Sequence, residues 1–215
     1  MSRGAVPKAN TAARSAEVLM SKSVEFFFDF GSPTSYLAYT QLPKLAAECG
    51  ADVNWRPMLL GGVFKATGNA SPVTVPAKGR WMFDDMARWA KRYAVPLVHN
   101  PHFPVNTLTL MRAATGLQMA RPHDFGAYCD AVFNAMWQQQ QNLGDADVLA
   151  ATLSQAGLDA PALLALATQA DVKARLIAVT DEAVARGVFG APTFFVGGQM
   201  FFGQDRLEFV REALS

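Results

Sequence analysis

Residues 26–37, Phe-Phe-Phe-Asp-Phe-Gly-Ser-Pro-Thr-Ser-Tyr-Leu, set a strand ending at glycine directly ahead of a helix that opens with Ser-Pro. Val24, Phe26, Phe28 and Phe30 alternate with Glu25, Phe27 and Asp29, the period of two expected of a half-buried, aromatic-rich strand. Ser32 is a favoured N-cap, and Pro33 suits the first helical position, where a missing N–H costs nothing. Such a turn aims a hydroxyl and several unpaired backbone N–H groups at one point, beside the positive end of a helix dipole. It predicts a site that stabilises an anion, a thiolate being one candidate; the plainer alternative is a serine that only caps a helix.

The other end of the chain repeats the sense of design. Phe194-Phe195-Val196 and Met200-Phe201-Phe202 flank Gly197-Gly198, a strong hairpin signal, and Gly203 to Arg206 lead into a final helix. Pro192 sits ahead of the first of these strands, where a proline does not break the ladder.

The middle reads as helix. Pro76 to Tyr93 carries Trp81, Met82, Asp85, Met86 and Trp89 at helical spacing, and Asn106 to Ala120 and Arg121 to Trp137 follow. Asp145 is an N-cap for a helix stopped by Gly157, Pro161 opens another, and Asp171 to Arg186 forms the last before the hairpin. Gln138 to Gln141 is a polar run expected to be a solvated helix end. A βαβ start (Val24–Pro57) and a ββα finish (Pro192–Leu214) can join in one sheet with right-handed crossovers only if the helical block is an insertion packed beside it. The expected division is a disordered extension over residues 1–22, a sheet domain from 23–66 and 179–215, and a helical insertion over 67–178.

With Ser32 to Leu37, Phe189 to Thr193, Gly203 to Arg206 and Leu59 to Asn69 in view, the chain resembles a branch of the thioredoxin-like superfamily. That branch holds the 2-hydroxychromene-2-carboxylate isomerases and the kappa-class glutathione transferases. Its signatures are Ser-Pro-x-Ser-[Tyr/Trp]-Leu after a strand, Phe-Gly-x-Pro-Thr before a hairpin, and Gly-x-Asp-Arg after it. The match runs from about Val24 to the C-terminus. The resemblance implies an α/β, thioredoxin-like βαβ…ββα domain with a large all-helical insertion, glutathione as cofactor and an aromatic small-molecule substrate. It implies a glutathione-dependent isomerase of 2-hydroxychromene-2-carboxylate or a related aromatic-degradation intermediate, by reversible ring opening and cis-trans isomerisation to trans-o-hydroxybenzylidenepyruvate. A kappa-class-like transferase, which would leave the adduct attached, is the alternative.

By the same resemblance Ser32 is the catalytic residue, stabilising the sulfur anion of bound glutathione. Asn69, Ala191, an expected cis-Pro192, Phe202, Gly203, Gln204 and Asp205 join Ser32 in holding glutathione, with Asp205 facing its ammonium. Lys65, Thr74, Val75 and Phe103 are assigned to the substrate, Lys65 against its carboxylate; a solvated lysine and an N-capping Asp205 are the plainer readings. Thr34 stands where relatives often carry an aromatic, Thr74-Val75 near where some carry Asn-Arg, and Phe103 where tyrosine occurs. These departures leave the aromatic substrate's identity open. The resemblance also implies a homodimer.

Several function classes fall away. Nineteen basic against eighteen acidic residues leave net charge +1, so nothing electrostatic argues for nucleic acid or an anionic membrane. No apolar run approaches the length of a bilayer span. Cys49 and Cys129 are far apart, and Ser32-Pro33-Thr34-Ser35 fills the place where thioredoxin-like oxidoreductases keep Cys-x-x-Cys, so dithiol redox chemistry is not expected there. His99, His102 and His123 do not make a metal site. The N-terminal segment holds Arg3, Lys8, Arg14, Lys22 and Glu17 without the apolar core of a secretory signal. It reads as a weak targeting sequence or as a floppy extension ahead of Met20; the second is adopted, with a cytoplasmic protein as the expectation.

Overall fold

The computed structural model describes residues 22–215. Strand β1 (Lys22–Phe28) runs into helix α1 (Pro33–Glu48), which returns the chain to strand β2 (Ala51–Pro57), parallel to β1 with Phe28 opposite Pro57. From the far end of the sequence come β3 (Thr193–Val196), antiparallel to β1, and β4 (Gln199–Phe202), antiparallel to β3. The sheet order is β2-β1-β3-β4. Gly197 and Gly198 take φ of 55° and 86°, the double left-handed turn that a two-residue hairpin needs. The remaining N-terminal residues, where the extension was expected, lie outside the described residues; Lys22 itself opens β1.

The half-buried pattern expected of β1 is corrected by the structure. Phe26 and Phe28 enter the main core, but Phe27 is equally buried on the opposite face, with Met58, Val63, Val179, Ala183, Val188 and Phe195. Helix α8 (Ala170–Ala185) lies against β2 and supplies Val179 and Ala183 to that second face. A central strand with helices on both sides is buried on both sides, so alternation is lost. Glu25 survives there only in company: Arg186 bonds it at 2.6 Å, Arg56 approaches it, and both guanidinium groups lie over the Phe27 ring. Arg186 and Arg56 hold its carboxyl below the usual range, Arg186 contributing most.

Between β2 and α8 the chain forms α2 (Leu60–Thr67), α3 (Pro76–Tyr93), α4 (Leu108–Ala120), α5 (Phe125–Trp137), α6 (Ala146–Gln155) and α7 (Ala160–Leu166). Asp145 caps α6 as expected, accepting from the N–H groups of Asp147 and Val148. Helix α8 passes unbroken through the expected domain boundary at 178/179: its first half packs on α4, Val172 against Gly116, and its second half gives Val179 and Ala183 to the second face of the sheet. Residues 138–141 are also more than a solvated end. Gln138 Nε2 donates to Tyr36 Oη, Gln140 Nε2 to the His99 carbonyl, and Asn100 Nδ2 to the Gln141 carbonyl. The run clasps the segment between α3 and α4, a role that composition does not register.

The chain closes with α9 (Leu207–Leu214), whose Val210 and Leu214 enter the main core. The helical block meets the sheet through aromatic rings. Phe133 of α5 lies 4.7 Å from Phe30, 4.8 Å from Tyr39 and 6.0 Å from Phe28, between ring centroids. At the end of α5 the fully buried Trp137 donates its indole N–H to the Phe30 carbonyl at 2.8 Å. Replacing Trp137 with Phe should cost about 2–3 kcal/mol, by orphaning that carbonyl and leaving a void. Urea unfolding should show a lower midpoint with an unchanged slope; an unchanged midpoint would show that the bond is not holding the two parts together.

Candidate active site

Where β1 ends, the backbone turns sharply. The Ser32 N–H bonds the Asp29 carbonyl at 3.0 Å, and Ser32 caps α1 by accepting from the Ser35 N–H at 3.1 Å. Pro33 has no N–H to satisfy, so among the first-turn donors Thr34 N–H is left without a partner among the described residues. Ser32 is 4% exposed. Its Oγ donates to the Ala191 carbonyl at 3.0 Å and lies 2.9 Å from Thr34 Oγ1, which itself reaches the same carbonyl at 3.2 Å. The Ala191–Pro192 peptide is cis, as is Phe103–Pro104.

Asp29 supports this turn from behind. It is 1% exposed; its Oδ1 accepts from Gly31 N and its Oδ2 from Leu60 N, each at 2.8 Å, and the Thr107 hydroxyl adds a third donor. Burial pushes the carboxyl pKa up, against those three hydrogen bonds, which pull it down. One side chain therefore joins the Ser32 turn to the start of α2.

Ser32 lies on the wall of a cavity of about 700 Å³. On one side run Phe189 to Pro192 and Phe202 to Asp205. Gly190 is needed there: a Cβ would come 2.8 Å from the Phe202 ring, which packs 4.5 Å from Phe189. Gly203 adopts φ 99°, and its N–H bonds the Pro192 carbonyl. Asp205 pairs with Arg206 at 2.7 Å and is not the N-cap of α9. Tyr93 donates to the Gln204 carbonyl; burial and the nearby Asp205 charge push its phenol up to about 12, so it stays a neutral donor. On the other side Asn69 ties the end of α2 to the Phe189 carbonyl at 2.8 Å, and α3 presents Lys78, Trp81 and Met82.

Of the residues expected in the site, Ser32, Asn69, Thr74, Val75, Phe103, Ala191, Pro192, Phe202, Gly203, Gln204 and Asp205 all line this one cavity. Lys65 does not. It is exposed on α2, one residue past the wall-lining Phe64 and therefore about 100° around the helix. Lys78 is the only cation among the described lining residues. Its signal was present in the sequence: Lys78, Trp81, Met82 and Asp85 recur at helical spacing, and all four line the cavity. Asp29 was passed over because it fits the polar phase of a strand.

The DSBA-like thioredoxin domain model matches residues 23–215. A 2-hydroxychromene-2-carboxylate isomerase of Sphingobium xenophagum is 34% identical over 197 residues, covering 91% of this chain and 99% of that protein. Human glutathione S-transferase kappa 1 is 27% identical, covering 91% of this chain and 92% of the transferase. Among solved structures, that of a 2-hydroxychromene-2-carboxylate isomerase superposes with a TM-score of 0.76 at 32% identity, covering 89% of this chain and 94% of the other.

Asp29 makes a pH-dependent contribution whose sign follows from its raised value. The stability it lends is complete below the ordinary carboxylate range, about 3.9, and is lost as pH rises through the raised folded-state value. Asp29→Asn is neutral throughout, so its own fault, an amide facing a backbone N–H, adds a constant offset. Urea midpoints taken from about pH 4 to about pH 8 should show the native chain losing stability relative to the variant as pH rises. A constant difference would mean that Asp29 titrates normally.

Proposed function

This chain belongs to the DSBA-like thioredoxin domain family and, within it, to the 2-hydroxychromene-2-carboxylate isomerases; from that premise we propose that it is an isomerase working through a glutathione thiolate held at Ser32. The observation that carries the reading is the convergence of the Ser32 hydroxyl, the unpartnered Thr34 N–H and the Ala191 carbonyl on the wall of one 700 Å³ cavity. The donor set fits the cofactor. Two N-terminal donors of a sixteen-residue helix suit a sulfur anion, and the Ala191 carbonyl suits a peptide N–H. Asp205 suits an ammonium group, and Asn69 and Gln204 line the same cavity.

Isomerisation about a carbon–carbon double bond requires that the bond become transiently single. When bound, glutathione supplies a nucleophilic sulfur that adds to a conjugated carbon and is later expelled. The task of the chain's own residues is to keep that sulfur ionised near neutrality, since a free thiol ionises near about 8.5. Ser32 O–H and Thr34 N–H do so by donating, and the α1 dipole adds to them. Phe103, Met82, Trp81 and Val75 give the substrate an apolar chamber. Lys78 takes the role of partner to a substrate carboxylate in place of Lys65. No histidine lines the cavity to turn Ser32 into a hydrolytic nucleophile. The reading keeps the homodimer and aromatic breakdown as expectations of the resemblance, and the cytoplasmic setting as an expectation from the N-terminal sequence.

The direct test is an absorbance assay with 2-hydroxychromene-2-carboxylate, with and without glutathione. Conversion should require the thiol and return it free; thiol-independent conversion would overturn the cofactor, and a stable conjugate would favour transfer. Ser32→Ala should lower kcat by about 10²-fold, as for loss of one transition-state donor, while glutathione affinity hardly changes. A variant that turns over normally would remove Ser32 from the mechanism.

Lys78 is exposed, so its ion pair is worth up to about 1 kcal/mol. Lys78→Met should therefore raise KM by roughly fivefold with little change in kcat. An unchanged KM would mean that the carboxylate is held elsewhere.

A further inference from the structure

The hydroxyl groups at the head of α1 are short of protons. Ser32 Oγ, Thr34 Oγ1 and the Ala191 carbonyl oxygen form a triangle of 2.9, 3.0 and 3.2 Å, and Ser32 Oγ also accepts from the Ser35 N–H. Three oxygen–oxygen contacts thus share two hydroxyl protons. Three arrangements are open. In the first, both hydroxyls donate to the Ala191 carbonyl, which has two lone pairs. In the second, Thr34 alone donates to Ala191 and the Ser32 proton is free of that carbonyl. In the third, Ser32 donates to Ala191 and Thr34 donates to Ser32.

The thiolate reading needs the second arrangement. A Ser32 proton spent on Ala191 does nothing for an anion in the cavity. Were Ser32 alone, withdrawing its proton would empty one of the two lone-pair positions of the part-buried Ala191 carbonyl, since a peptide N–H of the cofactor fills only the other, and that loss would offset part of the gain. Thr34 removes that conflict, because it already lies within bonding distance of the same oxygen.

We propose that Thr34 is a positioning residue: its hydroxyl takes over the Ala191 carbonyl and so turns the Ser32 proton toward an anionic sulfur in the cavity. The inference rests on the thiolate reading above and adds a residue that acts only through Ser32. It has a specific signature. Thr34→Val keeps the side-chain shape and the backbone N–H while removing the one proton that the exchange requires. Thr34→Ser keeps that proton.

The test is the ultraviolet thiolate absorbance of protein saturated with glutathione, followed against pH with the glutathione-free protein subtracted. Five proteins are compared: the native chain, Ser32→Ala, Thr34→Val, Thr34→Ala and Thr34→Ser. Thr34→Val and Thr34→Ala should move the bound thiol's midpoint upward by about 1 pH unit, a tenfold loss of thiolate below it, while Thr34→Ser titrates like the native chain. Thr34→Ala carries the comparison if Thr34→Val folds poorly, since alanine is the best helix former. Native titration in both hydroxyl-free variants, with Ser32→Ala still shifted, would overturn the role of Thr34 and leave the thiolate reading standing. Loss of glutathione binding in both would overturn it as well, by making Thr34 a ligand contact. If Ser32→Ala itself titrates like the native chain, the thiolate reading fails.

Discussion

Asp29 carries a carboxyl into a place sealed from water and gives each oxygen a backbone N–H, one from Gly31 and one from Leu60. Those two donors belong to different pieces of the fold. The first lies in the turn that delivers Ser32, the second at the start of α2, whose far end holds Asn69 against Phe189. An uncompensated carboxyl there would be costly, so the turn and the start of α2 are held together by the need to satisfy it. The next residue repeats the arrangement in apolar form: Phe30 sends its ring against Phe133 and its carbonyl to Trp137. The end of β1 is therefore the point at which sheet, helical block and site are joined.

This explains how a site shared among distant parts of the sequence keeps its geometry. Ser32 and Ala191 are 159 residues apart and meet at 3.0 Å. Their contact is fixed by β1 pairing with β3, where Phe26 stands opposite Phe194 and the two rings stack at 5.2 Å between centroids. The aromatic pairs do for position what the hydrogen bonds do for orientation. Neither set is long-range by itself; the sheet makes it so.

The strand-to-helix turn, the Gly-Gly hairpin and the cap at Asp145 were legible in the sequence because each is a local rule read over a few residues. What escaped depends on neighbours from elsewhere. Phe27 and Asp29 occupy the polar phase of β1, yet α8 and the start of α2 bury them. The boundary at 178/179 falls inside one helix because α8 turns Val172 to α4 and Val179 and Ala183 to the sheet, two partners that a single apolar stripe does not distinguish. Lys65 and Lys78 differ only in which way their helices turn once Gly68 has ended α2 in the left-handed region. Gln138 bonds the Tyr36 hydroxyl, Gln140 the His99 carbonyl and Gln141 the Asn100 side-chain amide, and no composition rule reports that.

The cavity divides its labour by polarity. Around Ser32 the buried groups hydrogen-bond one another within a fixed backbone, with the Thr34 N–H left over, so an anion placed there needs only hydroxyl rotations to be met by donors. Toward α3 the wall is largely apolar and open: Trp81 is 60% and Val75 52% exposed, with Lys78 the only cation among the described lining residues. A rigid polar end and an open aromatic end suit a reaction in which the nucleophile must be held still while a flat substrate changes shape. On the isomerase reading proposed above, Val75 and Phe103 offer a substrate ring no polar group, which leaves its orientation to the shape of this wall and to the Lys78 charge. The polar end of the cavity belongs to the end of β1, and its apolar end to the first two turns of α3.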